Sequence, residues 1–300
     1  MSQSVEILTQ RWKVGAVTIT SVVEDEIAHI PVELFFPGGT AGEVLAQGWC
    51  IPDFADDRGN VALRVQALVV DVAGRRILVD PCVGNGKRRA LPFWNDQQYP
   101  WLDRFASAGF DVGTVDVVVH THLHADHVGW DTQFVDGAWQ PTFTGARHLY
   151  TAAELEFALA SVSDDEDVYG DSIAPIVAAG LADVVAPDHD LGDGLRLVPS
   201  PGHTPGHVSL VIESAGEQAL ISGDFVHHPV QCAYPHWAEI GDADVEAARD
   251  TRRAMFADAA ARGLLFVGTH FPTHPAGRVV TDGDAFRFEP VFEATAAARA

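Results

Sequence analysis

Apolar positions in the first third of the chain fall into short β-branched runs. Residues 14–23 read as one strand, and residues 62–70 and 76–80 as a hairpin turning at Ala73-Gly74. Between them, residues 24–60 lose all periodicity. That stretch carries Pro31, Pro37-Gly38-Gly39, Pro52 and several aromatics, which predicts an excursion at the pocket rim or a subunit interface. Residues 115–119, Val-Asp-Val-Val-Val, predict a strand buried on both faces that feeds directly into a histidine-rich segment. Thr151-Ala-Ala-Glu154 reads as a capping box opening a helix to about residue 160, and the acidic run 164–167 as a solvated loop. Farther on, 195–198, 208–212 and 218–222 predict strands, 244–262 a helix and 264–267 a last strand. Three hundred residues allow two small domains or one large layered one, with 24–60 as an excursion on the scaffold.

Composition narrows the function. Hydrophobic residues make up 47% of the chain and charged residues 20%, which is the usage of a packed protein rather than a disordered one. With 19 Lys+Arg against 42 Asp+Glu, the formal charge of -23 repels phosphate backbones and anionic headgroups. Nucleic acid and membrane are therefore not expected as partners, and a small neutral or hydrophobic substrate is. The start lacks a basic segment followed by an apolar one, so a cytoplasmic location is expected. Cys50, Cys82 and Cys232 are too far apart for a CxxC metal site and are expected to be reduced.

The chemistry is concentrated in His120-Thr-His122-Leu-His124-Ala-Asp126-His127. On an extended segment, side chains two apart share a face, so His122, His124 and Asp126 converge while His127 approaches from the next turn. Three other sites share one grammar, an apolar run ending in a turn that exposes a metal-competent residue: Gly202-His203, with His207 nearby, Gly223-Asp224, and Gly268-Thr-His270. Each is weak alone, but together they supply enough ligands for two metals.

In those four segments and their order, the chain resembles the metallo-β-lactamase-fold hydrolases, nearest to the acyl-homoserine lactonase and methyl parathion hydrolase-like branch. The resemblance implies a layered α/β fold, the αββα sandwich, with residues 1–300 as one domain. By position it assigns His122, His124 and His203 to one metal and Asp126, His127 and His270 to the other, with Asp224 between them. It also matches Asp80 to the family's structural aspartate and selects His203 over His207, which becomes a packing residue. Nitrogen and oxygen ligands suit two Zn2+, though iron, cobalt or manganese fit the same donors. The implied reaction is opening of a lactone, or cleavage of a related carboxylic ester, by a metal-bridging hydroxide. Asp126 is the expected catalytic carboxylate. His227 stands where some lactonases of the branch carry a tyrosine that donates to the substrate carbonyl; it reads equally as that donor or as an interior histidine. The branch's N-terminal extension packs on a partner subunit, which implies a homodimer.

Eight aromatics are available for a hydrophobic cleft: Phe35, Phe36 and Trp49 in the excursion, and Phe93, Trp94, Trp101, Trp130 and Trp237 beyond it. Most aromatics are core, so a few of the eight are expected to touch substrate. His148, His189, His228, His236 and His274 read as ordinary loop or core histidines. Competing readings keep the site and change the reaction. They are an aryl organophosphate hydrolase, a glyoxalase-type thioesterase disfavoured by the scarcity of lysine, and a mononuclear iron persulfide dioxygenase-like oxidoreductase. A metal-stabilised module without activity is disfavoured by the number of ligands.

Overall fold

A computed structural model of the chain describes residues 8–163 and 165–292; the acidic position Asp164 lies outside them. The first predicted strand is in fact a hairpin. β1 (Thr9–Val14) turns at Gly15-Ala16 into β2 (Val17–Ile30), which pairs along its length with β3 (Val61–Val72). The excursion therefore begins at Pro31, because residues 24–30 continue the strand. Their polar side chains obscured it: from Asp25 onward this end of β2 is partly or fully exposed, so no apolar alternation marks it.

β4 (Arg75–Val79) completes the predicted hairpin, and β5 (Val117–Val119) lies parallel to it. A separate hairpin, β6 (Thr132–Val135) and β7 (Ala138–Pro141), precedes β8 (Arg147–Thr151) and β9 (Ala182–Val185). These last two extend the first sheet in parallel to the order β1-β2-β3-β4-β5-β8-β9. The second sheet runs in chain order through β10 (Asp190–Gly192), β11 (Leu195–Pro199), β12 (Val208–Ser214), β13 (Glu217–Ile221), β14 (Leu265–Val267), β15 (Ala276–Asp282) and β16 (Ala285–Pro290). Only β13 and β14 pair in parallel.

The two sheets face each other across a core to which Ile19, Leu68, Val79 and Val119 contribute from one side and Leu197, Leu210, Ile221 and Val267 from the other. The excursion contains short α1 (Val32–Phe35) and α2 (Ala41–Ala46). Outside the first sheet packs α3 (Trp101–Ser107), through Trp101 and Phe105. Four more short helices follow in the loops: α4 (Ala125–Val128), α5 (Ala152–Ala160), α6 (Ala174–Ala178) and α7 (Val230–Ala233). Outside the second sheet lies α8 (Val245–Arg262), with Ala248, Arg252, Phe256 and Ala259 buried at helical spacing. Asp244 caps it by accepting from Ala247 N at 3.0 Å, and Gly263 closes it at φ +60. The expected αββα layering is present. Among the described residues no helix is long and apolar enough to cross a membrane.

Several of the aromatics available for a cleft are core residues, as most were expected to be. Trp101 and Trp130 stack at 5.5 Å outside the first sheet, and Phe36 and Trp237 are buried under the excursion. Large rings remove more water-exposed apolar area than any other side chain, which draws them inward first. Phe35, Trp49 and Trp94 are half-buried and Phe93 is exposed.

The loops that carry the candidate ligands are set by backbone-to-backbone contacts. Gly129 N donates to Cys82 O at 2.7 Å and Trp130 N to Pro81 O at 2.8 Å, pressing the end of α4 onto the loop after β4. A Cβ at position 129 would lie 1.7 Å from Val83 O. Gly129→Ala is therefore expected to lower stability by about 3 kcal/mol or more, since the obstacle is backbone and cannot rotate away. Thermal unfolding of the variant beside the wild type checks this, and an unchanged midpoint would contradict the packing.

Candidate metal centre

All the chemically competent segments emerge from the carboxyl ends of strands at one edge of the sandwich. His122 and His124 follow β5; Asp126 and His127 open α4. His203 sits in the turn between β11 and β12, Asp224 follows β13, and His270 follows β14. Rigid strand ends hold such side chains in place while the loops stay accessible.

The side chains meet. Asp224 Oδ2 lies 3.0 Å from His270 Nε2, 3.1 Å from His127 Nε2, 3.2 Å from His227 Nε2, and 3.7 Å from both His122 Nε2 and His203 Nε2. His203 Nε2 is 2.9 Å from His124 Nδ1, and His127 Nε2 is 3.2 Å from His270 Nε2. Asp126 reaches the second group, with Oδ1 3.6 Å from His127 Nε2 and Oδ2 3.4 Å from His270 Nε2. All are buried except His124, which is half-buried. Every residue that the sequence reading placed at the site is there, His227 included.

Supporting contacts orient the rings. Asp80 accepts from Thr121 N at 2.8 Å and Thr121 Oγ1 at 2.7 Å, and its Oδ2 lies 3.1 Å from His127 Nδ1. His270 Nδ1 donates to Arg64 O at 2.8 Å. His203 Nδ1 donates to Asp242 Oδ1 at 3.1 Å. The buried Arg252 guanidinium lies 3.4 Å from Asp242 Oδ2 and also donates to the carbonyls of Phe225, Pro235 and Trp237. His207 has no nitrogen to spare: Nε2 accepts from Asp224 N at 2.7 Å and Nδ1 is 2.8 Å from Ser200 Oγ. Burial pushes it down to about 3, so it stays a neutral brace.

The capping box is only half realised. Thr151 caps Glu154 N, but the Glu154 carboxylate turns away to accept from Leu123 N at 3.1 Å and Gly206 N at 2.8 Å. It thereby ties the His122–His124 segment to the His203 turn. Sequence patterning offers no sign of this, or of Asp242 and Arg252, because each acts across long sequence separation.

Electrostatics divide the rings. Burial, then the neighbouring His127, drives His122 well below the usual imidazole range; burial, then His203, does the same to His124. For His127 and His270 burial also works against charge, but Asp224 and Asp126 outweigh it and hold His270 up at about 9. Asp224 is itself held far below the carboxylate range despite burial by His127, His270 and His227. His122 Nε2 and Asp224 Oδ1 remain buried without a hydrogen-bond partner. Ring nitrogens 2.9 to 3.2 Å apart, beside unsatisfied buried atoms, match the roughly 3.3 Å edge expected between ligands on one tetrahedral zinc with Zn–N near 2.05 Å. The residues present fit metal ions.

Comparison with known proteins agrees with this geometry. The family described as the metallo-beta-lactamase superfamily matches residues 61–270. The chain belongs to that superfamily. Among similar proteins, the N-acyl homoserine lactonase AttM of Rhizobium radiobacter is 28% identical over 151 residues, which are 48% of this chain and 52% of the relative. The match thus spans about half of that protein's length. Among solved structures, the hydrolase AbOPH of the beta lactamase superfamily superposes with a TM-score of 0.79 at 24% identity, covering 95% of this chain and 97% of the other. AidC, a dizinc quorum-quenching lactonase, gives a TM-score of 0.76 at 19% identity with the same coverage. At these identities the structural likeness shows the fold.

Beneath the centre, the loop after β4 rests on Glu24. This buried carboxylate accepts from Val83 N at 2.8 Å, Gly84 N at 3.1 Å and Trp130 Nε1 at 2.5 Å. Burial outweighs those donors and moves it from 4.5 to about 7. A raised carboxyl holds a proton in the folded state that the unfolded chain has already released. Its contribution to stability is therefore full below about pH 4.5 and is lost as pH rises to about 7. Glu24→Gln is expected to flatten the stability–pH curve across that window relative to wild type, as measured by denaturant unfolding. Parallel curves would show that Glu24 does not titrate there.

Proposed function

We propose that the chain is a dinuclear metallohydrolase that opens lactones or cleaves related carboxylic esters, with zinc as its metal. The observation that carries this reading is the convergence of imidazoles on the single carboxylate oxygen of Asp224. His122, His124 and His203 would hold one ion and Asp126, His127 and His270 the other, with Asp224 shared. Ions so held supply Lewis acidity and bring the pKa of water toward neutrality.

The chain's own groups account for orientation and proton transfer. Asp126, 8% exposed, has a second carboxylate oxygen to orient the attacking water. As the water oxygen bonds to the carbonyl carbon and the ester C–O bond breaks, Asp126 carries the displaced proton to the leaving oxygen. His227 Nε2 faces the same space and takes the role of the tyrosine hydroxyl in related lactonases, donating to the carbonyl oxygen as negative charge develops there. The edge of Phe35 packs on the His227 ring with centroids 5.6 Å apart, giving an apolar wall for an acyl chain. The partial likeness to AttM favours the lactone. Leu34 and Ile240, 66% and 68% exposed at the rim of the excursion, support a second subunit covering this side.

Asp224→Ala is expected to lose bound metal and turnover together, read by elemental analysis and lactone hydrolysis; a fully active variant would end the assignment. His227→Phe is expected to lower kcat about 100-fold or more with metal content unchanged. Loss of folding stability without a specific loss of kcat would make that ring structural instead. An acyl-homoserine lactone assayed beside an aryl phosphotriester should show the higher kcat/KM for the lactone; the reverse order would make the protein a phosphotriesterase.

A further inference from the structure

A second cluster of metal-competent side chains lies behind the centre. It is formed by His120 at the end of β5, Asp131 after α4 and His148 on β8, all 3% exposed or less. Asp131 Oδ2 lies 2.8 Å from His120 Nε2, and Oδ1 lies 3.2 Å from His148 Nδ1. The Tyr150 hydroxyl is 3.4 Å from the same Oδ2. His120 and Tyr150 stack face to face at 4.6 Å, and His120 is nearly parallel to His148 at 5.8 Å.

Distance and direction disagree in this cluster. His120 Nε2 is well within hydrogen-bond distance of the carboxylate and His148 Nδ1 at the long end of it, yet neither is aligned to donate to it. Among the described residues, His120 Nε2, His148 Nδ1 and Asp131 Oδ1 are buried without a hydrogen-bond partner. Close approach without alignment is the arrangement of neighbouring ligands around one ion, whose lone pairs aim at a common point rather than at each other. One ligand atom from each of the three residues falls within 4.8 Å of the other two.

We propose that His120, Asp131 and His148 hold a third divalent cation, of the zinc class by its nitrogen and oxygen donors. All three side chains are buried away from substrate, so this ion is structural. Its place gives it a purpose. The segment from His120 to Asp131 carries His122, His124, Asp126 and His127, and the cation clamps both ends of that segment to β8.

Elemental analysis of the purified full chain tests the assignment. Wild type is expected to retain about three divalent ions per chain, His148→Phe and Asp131→Asn about two, and Asp224→Ala about one. If the main centre binds no metal, wild type and Asp224→Ala each hold about one ion and His148→Phe none, which upholds this site while ending the dinuclear proposal. Equal metal content in wild type and His148→Phe overturns the third site. Should both variants fail to fold, a zinc-edge anomalous map of the wild-type crystal decides. A peak enclosed by His120 Nε2, His148 Nδ1 and Asp131 supports the site, and its absence overturns it.

Discussion

The structure depends on one unfavourable act, the gathering of imidazoles around a single buried carboxylate. Taken from water without partners, such groups would each cost several kcal/mol, and the low-dielectric surroundings that make their attraction strong make any misplacement expensive. Asp224 therefore demands precise neighbours, and much of the rest of the chain supplies them. Five imidazoles approach one oxygen from the ends of strands in two sheets and from the turns beyond them, so neither sheet alone could build the site.

Rigidity around that carboxylate comes from close backbone contact more than from side-chain packing. Gly84 and Gly129 let two loops touch where any Cβ would collide, and a Cβ on Gly202, at φ +133, would meet the first turn of α8 2.2 Å away at Ala248 N. Asp80, Asp242 and the carbonyl of Arg64 then fix the free nitrogen of three rings. A ring held at one nitrogen presents the other in a defined direction, which is what a cation or a polarised carbonyl requires.

The layered fold and the metal-competent residues were legible in the sequence because both are written locally. Short apolar runs ended in His, Asp and Gly at positions that strand ends expose, and the folded chain brings all of them together. What stayed hidden acts at a distance or in disguise. The polar end of β2 looked like a loop because its side chains face water. Which of the eight aromatics are core, as Trp101 and Trp130 are, stayed open because ring size alone does not say which side of a sheet it fills. His148 looked ordinary because its partners, His120 and Asp131, lie 28 and 17 positions away. Nothing local distinguishes a histidine that packs from one that meets a buried carboxylate.

Glu154 joins the two layers in a way their strand order does not reveal. Leu123 belongs to a loop of the first sheet and Gly206 to a turn of the second, and one carboxylate accepts an amide from each. The sandwich is thus stitched at the edge where the histidines gather. Ala16 N donating to Ser214 Oγ at 3.0 Å and Arg75 to Leu191 O at 2.9 Å fasten the opposite margin, so both ends of the sandwich are tied and the reactive edge sits on a frame closed at each end.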